Sequence, residues 1–336
     1  MRTTVDKIEL IFYHRGSSFP DCANLDSLRK RGACDCTIRY NYANMVKLRP
    51  VPKRIAVASH ISFQEGLAKA ETIAKFLKAR GVEEVAWGVL QDPALIERIE
   101  AGEFDLLIAL GGDGTMLRAG SIGAPLGLPV LGINIGHFGF LAEIQQDQCE
   151  ALLPLLLEGR YWLEDRMLLR AEHFREGKSL GAWHVINEVV VCRGQFVRPI
   201  QIEAQVDGYL LTTYIADGLL AATPTGSTAY ALAAGGPILP PDLRNILIIP
   251  VAPHLSVDRA IILSEGAAVT MTVHTTHEAV MSVDGRPPVP LKDGDAVHVM
   301  ANESTLHFVR FQDQGYFYRN ITAYMEQNPR AGNNHP

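Results

Sequence analysis

Between residues 54 and 158, short apolar runs alternate with longer stretches in which apolar residues recur every three or four positions. The short runs predict strands, and the periodic stretches predict helices. The predicted strands cover 55–58, 85–90, 106–110 and 130–134, and the predicted helices cover 64–80, a segment from Asp92-Pro93 to Ile99, and 146–158. Strands that alternate with helices are typical of a helix-covered parallel sheet, so residues 53–158 are expected to form an α/β domain.

From residue 160 onward, many short β-type runs replace the helical spacing. They lie at 160–172, 183–192, 200–206, 209–215, 246–250, 260–263, 268–274, 279–283 and 296–309. Asp207-Gly208 separates two of these runs and predicts a hairpin turn. The sequence therefore predicts a mostly β, sandwich-like domain over 159–312. Residues 313–328 show helical spacing and are expected to return to the α/β domain, and the residues after Asn328 are expected to be disordered.

The composition is that of an ordinary globular protein and narrows the choice of partners. The 336 residues suggest about two domains. The net charge is −6 and no block of lysine and arginine is present, so nucleic acid is not an expected partner. No apolar run is long enough to span a membrane, and the N-terminus lacks the apolar core of a signal peptide. The five scattered cysteines fit a reducing cytoplasm, which is the expected location.

Residues 1–52 read as an extension without an assigned role, for which disorder is one explanation. Cys22, Cys34 and Cys36 cluster there and could hold zinc, but no fourth ligand has suitable spacing. Translation could also begin at Met45.

The segment most suggestive of chemistry is Gly111-Gly112-Asp113-Gly114-Thr115, which directly follows the predicted strand 106–110. Its glycines permit unusual backbone angles and close approach, and Thr115 could cap a following helix. The N–H groups at such a helix start suit phosphate, in the place where open α/β sheets bind ligands. Asp113 would then lie beside an anion that repels it, unless it holds a cation or accepts a proton. The alternative is a tight turn with a surface aspartate.

A second candidate segment, 132–141, also follows a strand. Phe138 and Phe140 could stack on a ring or fill a core, and His137 is expected to be structural.

Two further segments could hold a polar ligand. Asn187-Glu188 opens a β-type run and could read hydroxyl and amino groups, or could be an exposed pair. The hydroxyl-rich run 216–230 predicts a backbone-lined pocket. Neither a P-loop nor a Gly-x-Gly-x-x-Gly fingerprint is present, so phosphate charge would fall to backbone N–H groups, Arg118, Arg198 and a metal ion.

These motifs, taken in order, resemble the NAD kinase family. The resemblance covers about 53–325 and rests chiefly on the run Thr-Pro-Thr-Gly-Ser-Thr-Ala-Tyr at 223–230. It implies a Rossmann-like α/β domain of the NAD kinase type beside a mostly β domain. It also implies transfer of a phosphoryl group from ATP, or in some members polyphosphate, to the adenosine 2′-hydroxyl of NAD. Mg²⁺ or another divalent cation and a homodimer or homotetramer are expected with it.

The resemblance also assigns roles to single residues. Asp113 matches the catalytic aspartate. The substrate and nucleotide contacts are expected at Gly114, Arg118, Phe140, Asn187, Glu188, Arg198, Asp217, Thr228, Ala229, Tyr230, Ala231, Leu232, Ala233, Ala252 and Arg286. Relatives often carry serine where this chain has Ala231 and Ala233, so serine at both is expected to tighten NAD binding. No metal ligand is assigned.

Two other classes stay open at this point. A lipid kinase of the diacylglycerol type shares the Gly-Gly-Asp-Gly element, but the hydroxyl-rich run does not suit an apolar substrate. A dinucleotide sensor without catalysis would explain the alanines but not Asp113. The sequence does not decide between NAD and NADH, between ATP and polyphosphate, or whether NADPH inhibits.

We expect a protein that begins at Met45 to fold and to keep its activity, because the α/β pattern starts only at Arg54. Circular dichroism and a turnover assay on the shortened protein measure both properties. Loss of solubility or of activity would contradict this expectation and would return attention to Cys22, Cys34 and Cys36.

Overall fold

The computed structural model describes residues 48–60, 64–136, 139–254 and 258–327. The predicted zinc cluster, almost all of the extension over 1–52, His137, Phe138 and the tail after residue 327 lie outside the described residues.

The first half of the chain forms the predicted alternation of strands and helices. Its strands are β1 Arg54–Ser59, β2 Glu84–Val89, β3 Leu106–Leu110, β4 Val130–Asn134 and the short β5 Ile144–Gln145. Its helices are α1 Gln64–Ala79, α2 Pro93–Glu100, α3 Asp113–Gly123 and α4 Cys149–Leu157. Asp92 caps α2 by accepting the N–H of Ala94 at 3.0 Å, with proline at the first helical position, as the Asp-Pro pair predicts.

The strands of this half are parallel and lie in the order β2-β1-β3-β4. Every residue of β3 and of β4 is buried, because helices cover both faces of the sheet. In open sheets of this kind, ligands bind at the carboxyl ends of the strands. The segment that leaves β3 is Gly111–Gly114.

The second half consists almost wholly of strands. They are β6 Trp162–Arg175, β7 Lys178–Val185, β8 Glu188–Arg193, β9 Ile200–Val206, β10 Tyr209–Ala216, β11 Gly218–Ala222, β12 Asn245–Val251, β13 Ile261–Ser264, β14 Val269–His274, β15 Ala279–Val283, β16 Val289–Leu291 and β17 Ala296–Arg310. Two helices complete the described residues, the four-residue α5 Tyr230–Ala233 and α6 Tyr316–Gln327.

Two sheets pack face to face in this half, which confirms the sandwich-like expectation. One sheet has the order β13-β12-β11-β8-β15-β16, and the other contains β10-β9-β14-β17. A shared apolar core lies between them, with Val191 and Leu219 from one sheet and Ile202 and Met271 from the other.

The predicted strand pattern was wrong for residues 183–192, and it missed the short strands β5, β11 and β16. The run predicted over 183–192 is two strands, since β7 ends at Val185 and β8 begins at Glu188, which leaves Asn187 in the connection. β11 was not predicted at all. Its sequence, Gly-Leu-Leu-Ala-Ala, contains no β-branched residue, and it is a strand because it is fully buried between β8 and β12.

One strand connects the two halves. β17 pairs with β4 through Phe308 and Val130, and it pairs antiparallel with β6 along most of its length. Within the described part of the chain, eleven strands therefore form one continuous sheet.

Arg49 and Pro50, near the start of the described residues, are bonded to the rest of the fold. The backbone N–H of Arg49 donates to the carbonyl of Gly159 at 2.9 Å, and the Tyr161 hydroxyl donates to the carbonyl of Pro50 at 2.8 Å. No helix of the described residues has the length and apolar character needed to cross a bilayer.

Candidate functional site

The turn between β3 and α3 needs glycine at its first position. Gly111 has a φ of +154°, and a Cβ there would lie 2.2 Å from the Thr115 hydroxyl oxygen. Gly112 is the N-cap of α3, which begins at Asp113. The expectation that Thr115 caps the helix was therefore wrong: Thr115 is buried in the first helical turn. The helix starts earlier because glycine can take the cap position without a side-chain bond.

The carboxylate of Asp113 is held by the backbone of the segment after β4. Its two oxygens accept the N–H groups of Phe140 at 3.0 Å and Leu141 at 3.1 Å. Gly139 makes this approach possible, because a Cβ there would lie 2.2 Å from one of those oxygens. The first two glycine-rich segments of the sequence thus form one structure, which fixes the orientation of Asp113.

A cavity of about 810 Å³ opens at the start of α3. Gly112, Gly114 and Thr115 line it at the first turn of the helix, and Arg118 extends along its wall. The turn Asp284–Pro287, which includes Arg286, also lines it, as does Glu100. The helix N-terminus and the two arginines suit this part of the cavity to an anion.

Asn187 and Glu188 are placed by a neighbouring carboxylate. Asp284 accepts the backbone N–H groups of Ile186, Asn187 and Glu188 at 2.9, 2.7 and 3.2 Å. Asp284 is partly exposed as a residue, but its carboxylate is turned inward onto these amides. Burial raises the pKa of this carboxyl group, against the lowering effect of the three N–H donors.

Several hydroxyl groups of the 223–230 run point into the protein and bond to its backbone. Thr223 donates to the carbonyl of Ile186 at 2.6 Å, and Ser227 donates to the carbonyl of Pro224 at 2.6 Å. Thr225, Thr223 and Ser227 are all buried. The side chains left accessible belong to Thr228, Ala229 and Tyr230. The buried hydroxyls therefore shape the loop, and the following residues are free to contact a ligand.

The loop also comes close to Asn187. A Cβ on Gly226 would lie 2.1 Å from the Asn187 carbonyl oxygen, so the two segments touch through their backbones. Burial raises the pKa of Tyr230, and the carboxylates of Asp217 and Glu188 raise it further. The structure thus brings together Asn187, Glu188, Asp217 and Tyr230.

Two predicted contact residues, Arg198 and Ala252, lie outside this group. Arg198 is exposed on the segment between β8 and β9, whereas the nearby Arg193 forms an ion pair with Asp217 at 2.9 Å. Ala252 is exposed and has a φ of +47°, an unusual angle for a residue other than glycine.

The expectation that Ala231 contacts the nucleotide was wrong. Its side chain is fully buried in an apolar cluster with Leu220, Leu247 and Ile249, so it cannot contact a ligand. Two positions further along α5, Ala233 is exposed, and Leu232 between them is half-buried. The two alanines face different ways because residues two apart on a helix point to different sides.

Both halves of the chain match sequence models of one family. Residues 37–161 match the ATP-NAD kinase N-terminal domain, and residues 186–311 match the ATP-NAD kinase C-terminal domain. The NAD kinase of Chloroflexus aggregans is 38% identical over 275 residues, which are 81% of this chain and 98% of that protein. The chain belongs to the NAD kinase family. The NAD kinase of Moorella thermoacetica is 36% identical over 79% of this chain and 87% of that protein.

Two solved structures share the fold. An NAD kinase from Archaeoglobus fulgidus in complex with ATP is 27% identical, with a TM-score of 0.66 over 82% of this chain and 99% of that one. Yeast NADH kinase in complex with NADH has a TM-score of 0.73 over 83% of this chain and 89% of that one, at 24% identity. The reaction of the NAD kinase family is the phosphorylation of NAD, and nothing found favours the lipid kinase or the sensor.

Asp284 is the residue of the site that the sequence did not reveal. Asp284-Gly285 was read only as a turn, and the turn is present, with φ of +48° and +68°. The carboxylate that places Asn187 and Glu188 lies almost 100 positions further along the chain, and no local pattern indicates that contact.

We expect serine at position 233, and not at 231, to strengthen NAD binding. Ala233→Ser adds a hydroxyl on the exposed side of α5, and one new hydrogen bond lowers KM roughly 2- to 10-fold. Ala231→Ser is the matched control: it buries a hydroxyl among apolar side chains and costs about 1–3 kcal/mol of stability without lowering KM. Steady-state kinetics and thermal melts of the two variants measure this. A lower KM in Ala231→Ser would contradict the assignment.

Proposed function

We propose that this chain transfers the terminal phosphoryl group of ATP to the adenosine 2′-hydroxyl of NAD, with Asp113 orienting that hydroxyl and taking its proton. The observation that supports this most is the placement of Asp113. Its carboxylate is fixed by two backbone N–H groups, and a cavity with the chemistry to hold an anion opens at the same helix start.

The donor triphosphate would occupy the cavity. Its volume is within the range of small-molecule sites, roughly 300–1,000 Å³. The N–H groups at the start of α3 face the phosphates, and Arg118 and Arg286 supply positive charge. The ATP bound to the Archaeoglobus fulgidus relative supports ATP as the donor.

NAD, the phosphoryl acceptor, would lie against the group formed by Asn187, Glu188, Asp217 and Tyr230. Asn187, Glu188 and Asp217 would bind polar groups of NAD, with Arg198 at the edge, and Phe140, Thr228, Ala229 and Tyr230 would contact its rings. Leu232 and Ala233 would flank it, and Ala252 would approach the site of a neighbouring subunit in a homodimer or homotetramer. The scattered cysteines support a cytoplasmic location.

The reaction needs accurate placement more than a strong base. The 2′-oxygen forms a bond to the terminal phosphorus while the bond from that phosphorus to the bridging oxygen breaks, and ADP leaves. Because the transition state is loose, the hydroxyl loses its proton late, and a carboxylate in the right place is sufficient. Asp113 receives this proton, and the N–H groups of α3 stabilise the charge on the phosphoryl group.

A divalent cation would have to arrive with the donor. Among the described residues, no group of three or more His, Cys, Asp or Glu side chains could hold a metal ion. This does not fit a metal site built by the protein, whereas Mg²⁺ is commonly bound through substrate phosphates. The steps above therefore use only residues of the chain.

We expect Asp113→Asn to lower kcat by about 10²–10⁴-fold, because an amide cannot accept the hydroxyl proton. The amide also cannot accept both backbone N–H groups, so a loss of about 1–3 kcal/mol of stability accompanies it. Incubation with ATP, Mg²⁺ and NAD, with NADP detected by an NADP-specific dehydrogenase, measures turnover, and calorimetry measures NAD binding.

A second variant distinguishes the effect of the Asp113 charge from the effect of its position. Gly139→Ala keeps the carboxylate but puts a Cβ where one of its oxygens lies, so Asp113 must move. We expect a lower kcat there too, with NAD still bound. If Asp113→Asn keeps more than about a tenth of the parental kcat, the proton leaves by another route.

We expect Arg118→Ala to raise KM for ATP by about 3- to 30-fold while KM for NAD stays constant. A charge-assisted bond to phosphate is lost, and its effect is moderate because Arg118 is exposed. Lys75→Ala, which removes the same charge from the exposed side of α1, is the matched control and should change neither value. A rise in KM for NAD instead would place the donor elsewhere.

A further inference from the structure

Five side chains with charged or hydroxyl groups are buried together beneath the site. They are Glu143, Glu164, Arg166, Arg310 and Tyr316, and none is more than 6% exposed. We refer to them as the buried ion network. They come from four elements of the chain: the segment after β4, strands β6 and β17, and helix α6.

Glu164 is the centre of the buried ion network. One of its oxygens accepts Nε of Arg310 and Nη2 of Arg166, both at 2.8 Å, and the other accepts the Tyr316 hydroxyl at 2.8 Å. Burial on its own would raise the pKa of Glu164, but the guanidinium groups of Arg310 and Arg166 lower it to about 2. Glu164 is therefore charged at neutral pH and holds both arginines.

One end of the buried ion network reaches Asp113. Nη1 of Arg310 donates to the carbonyl of Leu141 at 3.0 Å, and the N–H of Leu141 donates to Asp113 at 3.1 Å. Glu143 holds the same guanidinium at 3.3 Å and accepts the N–H groups of Phe311 and Gln312.

The other end of the buried ion network reaches residues 223–230, which are proposed to contact NAD and are called the nucleotide-binding loop below. Nη1 of Arg166 donates to the hydroxyl of Thr225 at 3.1 Å. Thr225 begins the short 3₁₀ segment Thr225–Thr228, which leads directly into Ala229 and Tyr230. An unbroken series of hydrogen bonds thus connects Asp113 with the loop proposed to hold NAD.

Stability is a weak reason for such an arrangement. Removing two carboxylates and two guanidinium groups from water is costly, and well-packed apolar residues of similar volume are often as stable or more so. Directional bonds from rigid guanidinium groups do, however, fix the distance and angle between the parts that they join.

We propose that the buried ion network positions Asp113 and the nucleotide-binding loop relative to each other, with Arg310, Glu164 and Arg166 as positioning residues for phosphoryl transfer. This rests on the proposed role of Asp113. Arg310 sets the Phe140–Leu141 backbone that orients Asp113, and Arg166 sets Thr225 and the residues after it. The ribose hydroxyl and the carboxylate are thereby kept in line with the donor.

The least disruptive test is Thr225→Val, which keeps the shape of the side chain and removes the hydroxyl that accepts from Arg166. We expect kcat to fall by about 5- to 100-fold, because small displacements in an oriented site have effects of that size. The Kd for NAD, measured by calorimetry, should change less than about threefold, because Asn187, Glu188 and Asp217 still bind it. Tyr316→Phe, which removes the hydroxyl bond to Glu164, should lower kcat in the same direction.

A matched control comes from a second buried cluster on the same strand. Asp295 is fully buried and bonds to His173 at 2.8 Å and to Arg175. His173 lies on β6 about 20 Å beyond Arg166, at roughly 3.3 Å per residue. His173→Gln should lower the melting temperature as Thr225→Val does but leave kcat unchanged. If Thr225→Val and Tyr316→Phe also lose only stability, the proposal is overturned.

A double variant shows whether the effect acts through Asp113. If it does, Thr225→Val lowers kcat less in the Asp113→Asn background than in the parent, because the position of the Asp113 carboxylate no longer matters once an amide replaces it, whereas the position of the ribose hydroxyl still does. If the two losses multiply instead, the buried ion network does not act through Asp113, and the proposal is overturned. If Asp113→Asn alone keeps its activity, the proposed function of Asp113 fails. The positioning role is then decided by comparing the kcat of Thr225→Val with that of His173→Gln.

Discussion

The pairing of β17 with both halves of the chain is the constraint on which the rest of the structure depends. A parallel sheet and a sandwich would otherwise be two bodies joined by a connection, and their loops could meet in many ways. Because Phe308 pairs with Val130 of β4 while the same strand pairs with β6, the carboxyl end of β3 faces the loops of the sandwich at a fixed distance. The site forms where these loops converge.

Much of the fold could be predicted because its signals are local. The all-buried strands β3 and β4 read directly as apolar runs, and the hairpin at Asp207-Gly208 follows from turn chemistry. The division of residues 183–192 into two strands and the existence of β11 could not be read in the same way. Those features depend on burial by neighbouring strands, which a single sequence does not display.

The site shows the same division between local and distant signals. The Gly-Gly-Asp-Gly turn is visible in the sequence because Gly111 meets a steric need at its own position. Three other features are not visible. Ala231 faces the core, Asp284 bonds to the backbone of Asn187, and Arg310 bonds to the backbone of Leu141. Residue type gives no indication of these contacts, since each depends on how the sheets meet.

The inward hydroxyls of Thr223 and Ser227 have a consequence for ligand recognition. They form hydrogen bonds with backbone groups of Ile186, Pro224 and Leu239, so the shape of the loop does not depend on a bound molecule. A dinucleotide would meet a surface that is already formed and would lose little affinity to ordering the loop. Association should then resemble docking to a rigid template, with the flexible pyrophosphate and sugars of the ligand bearing most of the entropic loss.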